Sequence, residues 1–428
     1  MRVLLTSHGS TGDIYPVIRL GRALVDAGHE VKFATVTLFK EEIEAAGVEY
    51  VYLPPDWDQS GFAEAMRDLA QVKDNLQLLK SIYGEAVPYL QEIITNLTEH
   101  MPWCDLMVSS YVFSPLKSLA DKFHKPFATQ LFVHDFIPSR RVTPHPIWGL
   151  RGWPRGVQDA WNAMWWRIID RVLVSAIHEV LGTELKAAGL KLPESFLQHP
   201  ANLSLVTLSG DLFRPEFEEH PDQFQYSGYL RWQAKEDPEL DKEVEAFTEG
   251  EPVPILTFGS VTFEKQRRVM SRFMKHWPKG KKIIVQEGWA GLTVARPRPE
   301  IKVVGKVSHD QLFKHASVII HHGGSGTTGT AFHAGKPQIV IPHFGDQYFF
   351  GDEVERLGCG YHLKRRRWPE NLPSVIRKIH RHTRFADRAK EVADILAKED
   401  GPGNAAKILE KYAEEEQERI DEAVGEER

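Results

Sequence analysis

Short apolar runs recur along the chain, separated by Gly-rich turns and by stretches whose apolar residues return every three or four positions. The runs lie at 3–6, 31–35, 49–53, 106–109 and 203–208, and again at 255–258, 283–286, 301–304, 318–320 and 338–341. They are continuous rather than alternating, which is the pattern of parallel strands buried on both faces. Helical spacing fills the gaps. Ile18, Leu20, Ala23 and Leu24 carry a helix from Pro16 to Gly28, and further helical stretches fall near 61–98 and 114–124. Strand, Gly-rich loop, helix, strand is the unit of a doubly wound α/β sheet. It opens the chain and recurs around 318–341. The charged, Pro-containing stretch between the two sets reads as a linker with a helix inside it. We expect an N-terminal Rossmann-like domain over 1–232, a linker over 233–253, a C-terminal Rossmann-like domain over 254–400 and an acidic terminal helix over 401–428.

Residues 136–175 differ in character. Trp148, Trp153, Trp161, Trp165 and Trp166 alternate there with Arg140, Arg141, Arg151, Arg155, Arg167 and Arg171. Val157, Trp161, Met164, Trp165, Ile168, Val172 and Ala176 share one helical face, while Trp166, Leu173 and Ile177 fall outside it. The apolar surface is therefore wider than one core contact needs. Two readings stand: a helix buried on both sides, or an apolar mouth that receives a greasy molecule and touches a membrane.

Composition narrows the class. With 428 residues the chain is long enough for two or three cores, and its net charge of −6 offers no nucleic-acid footprint. Cys104 and Cys359 supply neither a disulfide framework nor a thiolate metal site, which fits a reducing cytoplasm. The opening residues read as a strand rather than a signal peptide, and no apolar run reaches the length of a membrane span. Oligomeric state is not legible. Asp56-Trp57-Asp58 is a lone DxD in a Pro-rich loop, read as a solvated turn, and Lys364–Arg367 is read as a solvated face.

The chemistry concentrates in 317–347. Val318, Ile319 and Ile320 lead into His321-His322, then the loop Gly323, Gly324, Ser325, Gly326, Thr327 and Thr328, then a helix stopped by Gly335 and Pro337. Glycines let the backbone approach a ligand, and a helix N-terminus presents unpaired N–H groups at the positive end of a dipole. Such a site binds phosphate. Gly324–Gly329 is also GxGxxG, the dinucleotide fingerprint, but that reading gives His322 no role and puts the nearest acid, Asp346, beyond Pro342.

His322, Gly324, Thr327, Thr328, Ala334, Gly335, Pro337, Pro342, Asp346 and Gln347 fall in the order and spacing of the donor-sugar motif of glycosyltransferase family 1. The Gly12-Asp13-Ile14-Tyr15-Pro16 loop is similar to that of its sterol, glycopeptide and rhamnolipid members. The resemblance implies a GT-B fold, with the two domains facing a cleft and the last helix crossing back onto the first domain. It implies an inverting, metal-independent hexosyltransferase using a nucleoside diphosphate sugar and no other cofactor. UDP-glucose is the default donor; dTDP and rhamnose remain open. The acceptor is a hydroxyl on a lipophilic or aromatic small molecule. His322, Gly324, Ser325, Gly326, Thr327 and Thr328 would hold the diphosphate with Ser260; Val307 would meet the base; Asp346 and Gln347 would bind sugar hydroxyls. Asp13 would be the base or only a helix cap, with His8 in reserve. The orienting carboxylate of other members falls at Ser109-Ser110 and is absent. His134, Trp153 and Trp166 would line the acceptor site. Rival readings are an NAD-dependent oxidoreductase and a non-catalytic sugar-nucleotide or lipid-binding module.

Overall fold

The computed structural model describes the chain apart from residues 57–60, 62–64, 66–71, 73, 135, 145–146, 151, 198–200, 214–221, 234–235, 260–265, 288–297, 306, 344 and 427–428. Ser260 and most of the 56–58 DxD thus lie outside the described residues. Two compact units form, one from Met1–Phe62, Asp74–Leu230 and Asp400–Arg428, the other built on Arg231–Glu399.

The first unit carries a seven-stranded sheet. Its strands are β1 Arg2–Thr6, β2 Glu30–Thr35, β3 Glu49–Tyr52, β4 Leu106–Ser110, β5 Phe127–Leu131, β6 Leu203–Val206 and β7 Phe224–Tyr226. They run in the order β3-β2-β1-β4-β5-β6-β7, each paired in parallel with its neighbours. Val3, Leu4 and Leu5 are fully buried, as a central parallel strand covered on both faces requires. The order reverses between β1 and β4, so the loops leaving those two strands part and open a crevice at their carboxyl ends.

Strand β5, sequence FATQL, carries no periodic signal because Thr129 and Gln130 are polar. Both are buried, and the Thr129 hydroxyl pairs with that of Ser204 on β6 at 2.8 Å. The expected helical stretch near 61–98 contains two helices in its described part, Asn75–Ala86 and Leu90–His100, separated by a one-turn segment around Pro88. The terminal helix Gly401–Glu426 belongs to this unit: Tyr412 donates to the Phe127 carbonyl at 2.8 Å, and His29 Nε2 donates to Glu410 at 2.7 Å.

The 33-residue helix Arg155–Ala187 overturns one expectation. Its buried face is Asn162, Trp166, Asp170, Ile177 and Leu181, whereas Val157, Met164, Ile168 and Val172 are exposed. Two polar residues in the buried face hide its period. Both work as anchors: Asn162 Nδ2 donates to the Arg140 carbonyl at 2.8 Å and its Oδ1 accepts from Thr143 at 2.8 Å. Asp170 accepts from Ser195 Oγ at 2.9 Å and from the backbone N–H groups of Phe196 and Leu197 at 2.8 and 2.6 Å. Trp166, expected in the acceptor wall, is buried, and its indole donates to the Val142 carbonyl at 3.0 Å.

The second unit carries six parallel strands, β8 Val253–Leu256, β9 Ile283–Gln286, β10 Ile301–Val304, β11 Ala316–His321, β12 Gln338–Val340 and β13 Gly360–His362, in the order β10-β9-β8-β11-β12-β13. Adjacent residues feed opposite cores. Leu256, Val285 and Ile320 pack with Phe273, Trp277 and Trp368, while Ile255, Ile284 and Ile319 pack with Leu312 and Phe313. The second core also takes Leu240 and Val244 from the helix Pro238–Thr248. The stretch 233–253 is thus a packed element of this unit rather than a spacer; its acidic outer face masks the i, i+4 apolar pair. Cys104 and Cys359 are both buried and unbridged. Among the described residues, no helix is long and apolar enough to cross a membrane.

Two substitutions separate the faces of the long helix. Asp170→Ala strands two buried backbone donors and should cost about 2–4 kcal/mol of stability. Ile168→Ala on the exposed face should stay within about 0.5 kcal/mol. Urea unfolding of the two variants checks the assignment, and equal losses would reverse it.

Candidate active site

In the first unit the crevice is lined by the loop after β1. Ser10 caps the helix Thr11–Asp26, its Oγ accepting from the Gly12 N–H at 3.3 Å. Asp13 closes the box: its Oδ2 accepts from the Ser10 N–H at 2.8 Å and from Ser10 Oγ at 3.0 Å. The cap is therefore real, and it occupies one oxygen. No hydrogen bond to Oδ1 accompanies it among the described residues. Burial raises the Asp13 pKa above the ordinary carboxylate range, against the Ser10 hydrogen bonds that lower it. A carboxylate with one oxygen fixed and a raised proton affinity is poised to take a proton.

His8 stands on the same loop. Its Nε2 donates to the Pro54 carbonyl at 3.0 Å, which leaves Nδ1 as the acceptor. Burial pushes the imidazole down to about 4, so it is neutral at pH 7. Ser109 and Ser110 end β4 beside β1, and no carboxylate stands there to orient His8. His134 is buried, with its ring 5.5 Å from Tyr226 and 5.8 Å from Phe213 and with Tyr226 Oη 3.4 Å from its Nδ1. Trp153 is exposed.

In the second unit the order reverses between β8 and β11, and the loops after these strands meet. His321 shapes the turn. It accepts from the Gly323 N–H at Nδ1 over 3.1 Å and donates from Nε2 to the Gln338 amide oxygen over 2.9 Å. His322 is the second histidine of the pair. Its ring lies in a slot between Gly259, where a Cβ would come within 3.1 Å of Cε1, and Gly324, where a Cβ would collide with Nε2. Among the described residues its Nδ1 is buried without a hydrogen-bond partner. An unmet buried polar atom is costly, which makes this one a candidate to meet a ligand. Burial, then the neighbouring His321, His343 and His309, hold His322 well below the usual imidazole range.

Gly324 is the N-cap of the helix Ser325–His333 and offers no side chain to its first N–H groups. Those donors, with the dipole behind them, suit an anion. Ser325 is half-buried and Gly326 exposed, while Thr327 and Thr328 turn inward. Thr328 is fully buried and donates its hydroxyl to the Gly324 carbonyl at 2.9 Å, so it braces the loop. Gly323 lies against the next loop, where a Cβ would be 2.8 Å from the Gln347 carbonyl oxygen. This contact brings Asp346 and Gln347 beside the donor loop. Asp346 is the N-cap residue of the helix Gln347–Arg356 but makes no side-chain cap bond. Gln347 is buried, and its Oε1 accepts from the His343 N–H at 2.8 Å.

Sequence reasoning missed the brace behind Val307. Gln286 Nε2 donates to the Val307 carbonyl at 2.9 Å. Its Oε1 accepts from Thr257 Oγ1 at 2.6 Å and from His309 Nε2 at 2.8 Å. One buried amide thus ties the loops after β8, β9 and β10. Its only signal was a polar residue ending an apolar strand.

Comparison with known proteins places both loops inside recognised domains. Residues 3–91 match the Glycosyltransferase family 28 N-terminal domain, and residues 281–412 match the Erythromycin biosynthesis protein CIII-like, C-terminal domain. The chain is 27% identical over 430 residues to a Sterol 3-beta-glucosyltransferase of Komagataella phaffii, covering 95% of this chain but 34% of that one. It spans about a third of the length of that relative. Glycosyltransferase GtfE of Amycolatopsis orientalis is 26% identical over 373 residues, covering 84% of this chain and 85% of its own. Among solved structures, glycosyltransferase VinC in complex with DTDP aligns with a TM-score of 0.67 at 18% identity, covering 97% of this chain and 100% of that one.

The unmet Nδ1 yields a signed prediction. An anion beside His322 favours the imidazolium, so its pKa rises on binding. Nucleoside diphosphate affinity should therefore climb as pH falls through the bound-state pKa and level off below the free-state one. Calorimetry in buffers of different ionisation heat should show proton uptake, and His322→Ala should abolish it. Uptake unchanged in that variant would remove His322 from the anion site.

Proposed function

The chain belongs with the glycosyltransferases of GT-B fold that pair a family 28-type N-terminal domain with an erythromycin CIII-like C-terminal domain, and from that premise we propose that it is an inverting hexosyltransferase. Its donor is a nucleoside diphosphate sugar, and its acceptor is a hydroxyl on a lipophilic or aromatic small molecule. The observation that carries this reading is the buried, unpartnered His322 Nδ1 beside a helix N-terminus without a side-chain cap.

Asp13 Oδ1 takes the acceptor proton as the acceptor oxygen bonds to the anomeric carbon from the face opposite the diphosphate. The carbon–oxygen bond to the diphosphate breaks, and its electron pair leaves with the phosphate oxygen. His322 and the N–H groups of the Ser325–His333 helix stabilise the charge that develops there. Asp346 binds sugar hydroxyls; Gln347 holds the loop through His343 and positions Asp346. Helix and histidine donors carry the diphosphate charge, so transfer requires no divalent ion. UDP-glucose is our first donor, since the sterol relatives are named as glucosyltransferases, and dTDP-sugars are the comparison, since VinC was solved with DTDP.

Asp13→Asn should cut kcat by on the order of 10²–10⁴ and leave nucleotide affinity near wild type. The wild-type kcat/KM should rise with pH through the Asp13 pKa and then flatten, with its acid limb above the ordinary carboxylate range. Wild-type turnover in the Asn variant would leave Asp13 as a cap alone. Asp346→Ala should spare free diphosphate binding and harm sugar-nucleotide use. Chelator should leave turnover unchanged, and release of free nucleoside diphosphate only with acceptor present distinguishes transfer from mere binding. A thermal shift with NAD in place of UDP or dTDP would favour the oxidoreductase reading.

A further inference from the structure

The long helix Arg155–Ala187 has two apolar faces, and the fold uses one. At about 100° per residue, Val157, Met164, Ile168 and Val172 fall within a quarter-turn of one another, nearly opposite Trp166 and Asp170. They remain 37 to 45% exposed, and the stripe runs for about 22 Å along the helix. The preceding loop extends it. Trp161 Nε1 donates to the Trp148 carbonyl at 3.1 Å, and Gln158 Nε2 donates to the Trp153 carbonyl at 2.6 Å. Those bonds tie the loop to the helix start, yet Trp148 is 88% and Trp153 57% exposed. A held backbone bearing exposed indoles is a built surface, not a frayed one.

The charges beside the stripe share one sign. Arg167 and Arg171 are exposed and border it within about a quarter-turn. Among the described carboxylates of this helix, Asp159 and Asp170 lie on its far side, with Asp170 bound to residues 195–197, and Glu179, two turns beyond Val172 on the line of the stripe, is paired with Lys80 at 2.5 Å.

We propose that this face docks on a lipid bilayer containing anionic headgroups. The aliphatic side chains and the two indoles enter the boundary between headgroups and acyl chains, and Arg167 and Arg171 meet phosphates. Charge complementarity selects a bilayer over a second copy of this chain, whose own stripe would set arginine against arginine. The inference extends the proposed function by giving a lipophilic acceptor a place to be met. Its test reads vesicle binding rather than turnover, so either can fail without the other.

The experiment is co-sedimentation of the full chain with phosphatidylcholine vesicles, with and without phosphatidylglycerol. Wild type should bind the anionic vesicles, less so as salt rises from about 0.1 M to about 1 M and the Debye length shrinks from about 10 Å to about 3 Å. Met164→Asp with Ile168→Asp should weaken binding by about tenfold or more. Arg167→Glu with Arg171→Glu should remove the preference for anionic lipid. All four positions are exposed, so melting temperature should hold. Four results would overturn the proposal: no binding by wild type, equal binding by the aspartate variant, an unchanged lipid preference in the glutamate variant, or a wild-type dimer in sedimentation that the aspartate variant dissociates.

Discussion

The loop after β11 is arranged around a buried histidine whose Nδ1 finds no hydrogen-bond partner among the described residues. His322 directly follows β11, and the reversal of strand order brings the β8 loop to its other side. The slot so formed admits an imidazole only because Gly259 and Gly324 lack side chains. His321 then fixes the turn by taking the Gly323 N–H, and Thr328 pins the Gly324 carbonyl from within the helix. Each of these bonds spends a side chain on the backbone so that the first turn of the Ser325–His333 helix keeps its own donors. The cost of burying Nδ1 unmet is the physical counterpart of an affinity for anions, because a ligand that meets it recovers the desolvation already incurred.

Legibility in the sequence followed burial. Strands with two apolar faces, such as β1 and β11, announced themselves by composition, since a parallel sheet covered on both sides leaves no polar alternation to confuse the reading. Strand β5 did not, because Thr129 finds its partner only across the sheet, on Ser204. The long helix misled for the same reason. Asn162 and Asp170 look like solvent residues until the loops they hold are present, and their apolar counterparts on the other face look like core. Periodicity reports which residues are apolar; it does not report which face has a neighbour.

The donor site divided along a similar line. The loop from His322 to Thr328 and the Asp346-Gln347 pair were legible because their spacing is local. The clamp of Gln286 on Thr257, His309 and Val307 was not, since its members are scattered over about fifty positions and meet only where three strand ends converge. Roles within the motif also shifted once partners were visible. The Thr328 hydroxyl and the Gln347 amide oxygen both bond to backbone, to the Gly324 carbonyl and the His343 N–H.

Asp13 shows why cap and base need not compete. A capping box uses one carboxylate oxygen, and here Oδ2 takes both Ser10 donors. Fixing that oxygen sets the plane of the group and lowers its proton affinity, while burial raises it, and burial prevails. In a better solvated site the same two bonds would make a weaker base. The cap therefore aims the carboxylate, and the crevice at the β1–β4 reversal supplies the proton affinity. His8 lacks that combination: no carboxylate orients it, its Nε2 is committed to Pro54, and burial drives it to about 4, too weak a base to hold a proton near neutrality. Between two candidates on one loop, the acid is the one whose surroundings move it toward the working pH.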